Sequence, residues 1–220
     1  MANLRRIATL SRRSLMTAAL LVSSAASALA GPPLICHPFD IGTAASLPFG
    51  SSTEGWRGWQ NTLPSYDRTR LVDDTLALLT PTTPVIVRME TLRRASAYAV
   101  DDKALATGLL RALEARTSKA PHTKAEALSL FDVGYLVETF RQLGTRGVTV
   151  NAAIDGVDGY AMVKTAMAQL PDDPGLQFAA ALITNTPDRR AVHATHLDKA
   201  RTMARADALV ARNLATHFSN

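Results

Sequence analysis

From Tyr66 onward the chain repeats one pattern: apolar residues three and four apart, interrupted at short intervals by proline, glycine or aspartate. In "YDRTRLVDDTLALLT", Leu71, Val72, Thr75, Leu78 and Leu79 fall at helical spacing, and Pro81 and Pro84 end the run. Thr83-Pro84 reads as the next start, a hydroxyl cap followed by proline at the first helical position, and predicts a helix to about Val100. Val85-Ile86-Val87 alone would suit a strand, but "RMETLRRASAYA" continues as helix. Asp101 opens a third helix, to about Thr117, with Leu105, Leu109, Ala112 and Leu113 on one face and Lys103, Thr107, Arg111 and Glu114 opposite.

The fourth segment, about Thr123 to Leu143, differs. Leu128, Leu130, Phe131, Val133, Tyr135, Leu136, Val137 and Phe140 surround its axis, which predicts a central position, and Gly144 ends it. A short extended piece is expected at Val148-Thr149-Val150. "DGYAMVKTAMAQL", with Asp158 as its cap, and "LQFAAALIT" give a fifth and a sixth helix. "AVHATHLDKARTMA" and "ADALVARNLATHF" give a seventh and an eighth, either separate or fused. The prediction for residues 66–220 is an all-α domain of antiparallel helix hairpins. It forms either an α-solenoid or a compact helical bundle.

Residues 31–65 break the pattern. They are rich in proline, glycine and serine, which argues for irregular chain, yet they carry Ile35, Phe39, Phe49, Trp56 and Trp59. The expectation is an N-terminal arm lying against the helices, with Ile35 and Phe39 docked. Cys36, the only cysteine, stands beside His37 in "LICHPFD". In an extended segment adjacent side chains point to opposite faces, so Cys36 reads as a packing residue rather than half of a thiolate pair. One cysteine forms no internal disulfide, so the fold must hold by packing.

The first 30 residues have the layout of a secretory signal peptide: Arg5, Arg6, Arg12 and Arg13, an apolar run from Leu15 to Val22, then Ala28-Leu29-Ala30. The apolar run is shorter than the roughly 20 residues that a membrane span takes. "SRRSLM" resembles the twin-arginine export signal, with Leu15 where phenylalanine is usual and Thr17 in place of lysine. Export by that or the general secretory route, to the periplasm or beyond, is the expectation, with no stable membrane insertion after cleavage. The leader also alters the charge. The chain has 24 Lys+Arg against 19 Asp+Glu; four of the cations lie in the leader, leaving 20 against 19. A nearly neutral body offers no net excess for phosphate neutralisation, so nucleic acid is not an expected partner.

Residues 159–182, "GYAMVKTAMAQLPDDPGLQFAAAL", resemble the second helix of a tetratricopeptide repeat, its proline turn and the next first helix. Ala161 and Ala168 stand at the small-residue spacing of that family, Pro174 lies one residue past the usual proline, and Thr165 replaces the usual aromatic. Leader and helical content also look similar to exported bacterial proteins of unassigned function. The repeat resemblance implies stacked hairpins with a groove for a peptide or protein partner.

Few residues suggest chemistry. His193 and His196 are three apart and share a helix face with Val192, Leu197, Ala200, Met203 and Ala204. Such a pair could bind zinc, copper or haem iron with further ligands from elsewhere, or could be core or groove histidines making hydrogen bonds. Trp56 and Trp59, in "GWRGWQ", and Tyr135 are candidate partner-binding aromatics; tryptophans in an arm equally serve as anchors. Asp132 lies on the apolar face of the fourth helix; a buried acid could be catalytic, but an arginine partner is the commoner explanation. No nucleophile elbow, phosphate loop or dinucleotide fingerprint is present. The sequence thus points first to a non-enzymatic exported scaffold with no cofactor. A metal- or haem-binding protein using His193 and His196, and an all-α hydrolase without local motifs, are the alternatives.

Overall fold

The computed structural model describes residues 33–50, 61–118, 121–144 and 154–218. Among them the secondary structure is helical throughout: α1 (Leu71–Leu78), α2 (Val85–Ala99), α3 (Lys103–Glu114), α4 (Lys124–Gly144), α5 (Gly159–Gln169), α6 (Pro174–Ile183), α7 (Arg190–Met203) and α8 (Ala208–His217). Val85-Ile86-Val87 opens α2 as helix, and the extended piece expected at 148–150 lies outside the described residues. None of these helices is long and apolar enough to cross a membrane.

Local chemistry sets most of the starts. The Asp102, Asp158, Asp173 and Asp207 carboxylates accept backbone N–H bonds at the starts of α3, α5, α6 and α8. Thr123 and Glu126 form a reciprocal capping box at α4: the Thr123 hydroxyl accepts from Glu126 N–H, and the Glu126 carboxylate accepts from Thr123 N–H. Two expected starts differ. Asp102, not Asp101, caps α3, and Asp101 pairs with Arg68 instead. Thr83 makes no cap for α2; its hydroxyl donates to Leu78 C=O and accepts from Thr80 N–H, tying the α1–α2 turn. A 3₁₀ turn, Ala204–Ala206, and the Asp207 cap separate α7 from α8.

The main hairpins are α4 with α5 and α6 with α7, and α2 runs between α1, α3, α4 and α6. Fourteen of the fifteen residues of α2, all but Arg94, are buried. The charges this entails are paired. Arg93 grips Glu90 through both carboxylate oxygens at 2.7 Å, and Arg94 adds a third bond to Glu90. Arg88 meets Asp132 of α4 at 2.5 Å, both 2% exposed or less. Asp132 thus has the expected arginine partner. Burial still pushes its carboxyl up to about 6, against the pull of Arg88.

The arm closes the remaining side of α2. Leu34, Ile35, Phe39 and Leu47 are buried in the common core. Their backbone groups are satisfied by helix side chains: Phe39 N–H donates to Glu90, Arg94 donates to Leu47 C=O, and Leu34 N–H donates to Gln142. Asn213 and Arg212 of α8 hold Asp40. The Tyr98 hydroxyl donates to Pro48 C=O and accepts from Leu63 N–H, and Gly50 N–H reaches Asn61 C=O, so residues 50 and 61 stand together. Around Cys36 the chain turns and bends rather than extends, and Cys36 and His37 are both half-buried.

Candidate functional site

His193 and His196 project from α7 toward α6 but are occupied separately. His193 Nδ1 lies 2.8 Å from Ala181 C=O; a carbonyl only accepts, so this nitrogen carries the proton. His196 Nδ1 donates to Gln177 Oε1 at 2.9 Å, and its Nε2 accepts from the Tyr160 hydroxyl at 2.7 Å. Both ring nitrogens of His196 are therefore committed in the neutral form. Burial first, then the cations Lys199 and Lys164, hold its pKa below the usual histidine value. Among the described residues no group of three or more His, Cys, Asp or Glu gathers as a metal site would require. Val192, placed by the sequence on the same apolar stripe, is 41% exposed.

The aromatic candidates separate. Tyr135 is fully buried, tilted against Phe131 with ring centroids 5.5 Å apart, and so offers nothing to a partner at the surface. Trp56 and Trp59 lie outside the described residues.

Sequence reasoning missed a cavity of about 520 Å³ where the first turns of α2, α4, α6 and α8 converge. Val85 and Ile86 of α2, Leu128 of α4 and Val210 of α8 are buried in its wall, while Leu170 and Leu209 stand half-buried at the edge. Exposed Asp172 and Lys124, of opposite sign, lie at the mouth. Gly175 brings α6 against α2: a β-carbon there would lie 2.7 Å from Val85 Cβ.

Four helix starts bring a concentration of positive dipole ends, and the caps answer it. Asp173 accepts from Gly175 and Leu176 N–H, and Asp207 from Leu209 and Val210 N–H. Burial raises the Asp173 pKa, with Asp207 adding to the rise, while the capped amides and Lys124 oppose it. The described lining holds aspartates, a lysine, threonines and a glutamine, with no nucleophile held by a neighbouring base. The arrangement suits a guest whose apolar part is flanked by polar groups. Asp173-Pro174 carries the same signature that was read at Thr83-Pro84, an oxygen cap before a first-turn proline, and would have placed the α6 start. The convergence of the four starts is tertiary and has no local signal. In comparisons with family models, characterised proteins and solved structures, nothing matches this chain.

Proposed function

We propose that the chain is an exported, non-enzymatic helical domain that holds an apolar side chain of a partner protein's extended segment in the cavity at the α2, α4, α6 and α8 starts. The observation that carries this reading is the cavity itself. Its wall sets the aliphatic Val85, Ile86, Leu128 and Val210 beside polar Thr83, Asp173 and Asp207, its volume of about 520 Å³ admits a side chain, and its mouth carries both signs of charge. The leader-like residues 1–30 support an address outside the cytoplasm.

The test is in place and chemical. A photo-crosslinking residue at Leu209, expressed in the producing cell, captures a defined partner, and the same residue at exposed Val192 does not. Leu170→Glu then removes the capture while the helical circular dichroism stays unchanged. No capture from Leu209, or equal capture from both positions, removes the cavity as the binding site. N-terminal sequencing of the secreted or periplasmic form checks the address, with Gly31 as the expected first residue.

A further inference from the structure

Rings, rather than ion pairs, make the arm's deepest contact with α8. His217 is 2% exposed, stacks on Phe39 with centroids 4.8 Å apart, and meets His37 and Phe178 edge-on at 5.9 and 5.6 Å. Neither nitrogen of His217 has a hydrogen-bond partner, and His37 Nε2 is buried and unpartnered as well. The Pro38 carbonyl stands near enough to favour a charged ring.

The charged and titratable groups facing His217 are His37 from the arm and Glu90 and Arg93 from α2; α6 presents the Phe178 ring. Asp40, further along the arm, is held by Arg212 and Asn213. Glu90 is already committed to Arg93, Arg94 and Phe39 N–H. A proton on His217 therefore meets a cation and a second imidazole, and the Pro38 carbonyl and the already paired Glu90, which favour it, are outweighed. Burial, His37 and Arg93 together bring its pKa down to about 4, and burial and Arg93 lower that of His37.

We propose that protonation of His217 releases the N-terminal arm in mild acid while the helical body stays folded. The arm gives way because His37 and Phe39 bear directly on the protonated ring. Neither imidazole takes part in the ion pairs of α2 and α4. Release uncovers the apolar faces of Leu34, Ile35 and Phe39 together with Phe178, so an acidic setting would change what the molecule presents to a partner.

Amide hydrogen exchange on the purified protein, corrected for intrinsic rate, tests this between about pH 7.5 and about pH 4.5. The bonded amides of Leu34, Phe39 and Asp40 are expected to lose about tenfold or more in protection at the lower pH, while α2 and α4 keep theirs. In His217→Phe most of that loss is expected to disappear, with His37 alone leaving a smaller one. Unchanged arm protection, loss in α2 together with the arm, or the same loss in His217→Phe overturns the proposal. A second readout needs no variant. Cys36, the single thiol, is followed with a disulfide reagent active in acid, its rate taken relative to the urea-unfolded chain. The relative rate should rise about tenfold over the same interval, and a flat rate overturns the proposal.

Discussion

Gly134, midway along α4, and Gly159, the first residue of α5, meet backbone to backbone. A β-carbon on Gly134 would lie 2.6 Å from the Gly159 carbonyl oxygen, and one on Gly159 would lie 2.5 Å from that of Gly134. No flexible side chain stands between them to yield, so the pair fixes how closely the α4–α5 hairpin can cross. Gly134→Ala should cost about 1–3 kcal/mol through overpacking. Gly108→Ala on α3, where a β-carbon meets nothing within 4 Å, should instead gain about 0.5–1 kcal/mol of helix stability. Urea denaturation of the two variants decides; a harmless Gly134→Ala would mean that the helices do not approach so closely.

The repeat-like spacing pointed elsewhere for this contact. Ala161 is half-buried and Ala168 exposed, so the small residues that matter are Gly134, midway along α4, and Gly159 at the start of α5. Helix existence was legible because caps and prolines are local signals, and the all-round apolar character of α4 was legible as centrality. The burial of α2 was not. Glu90, Arg93 and Arg94 stand at the i, i+3 and i+4 spacing that ordinarily marks a solvated face. Here Glu90 pairs with both arginines, and the cluster bonds to arm backbone more than 40 residues away in sequence, a partner that periodicity cannot reveal.

Breaking the second buried pair should be severe. Arg88→Met leaves Asp132 enclosed without its cation and should cost about 3–5 kcal/mol. The double variant Arg88→Met/Asp132→Leu should recover most of that loss, because no charge then remains inside. Denaturation midpoints for the three proteins measure it, and a double variant as weak as the single would contradict the pairing.

Two buried groups act on stability with opposite sign in acid. His217, down at about 4, binds its proton more weakly in the folded chain than in the unfolded one. Its contribution is fully present above pH 6.5 and falls by about 3 kcal/mol as pH drops to about 4. Asp132, raised to about 6 by burial, gains stability over nearly the same interval as its charge is removed. His217→Phe should therefore gain on the parent chain as pH falls from about 6.5 to 4, and Asp132→Asn should lose on it. Urea titrations across that range check both signs; parallel curves for all three proteins would exclude the two assignments.

Both nitrogens of His196 are spent on Gln177 and Tyr160. Treatment with a chelator should leave the melting temperature of the protein unchanged, whereas Tyr160→Phe should cost about 1 kcal/mol by leaving Nε2 unbonded. A melting temperature lowered by chelator would reopen a metal at this face.

The Tyr98 hydroxyl holds Pro48 and Leu63 at once, and Gly50 and Asn61 are joined by a backbone bond, so residues 48–50 and 61–63 are pinned side by side against α2. With its two ends a single hydrogen bond apart, a graft between Gly50 and Asn61 has to close a span of fixed, short width, and the Tyr98 latch is what would keep a change of length there from pulling on α2.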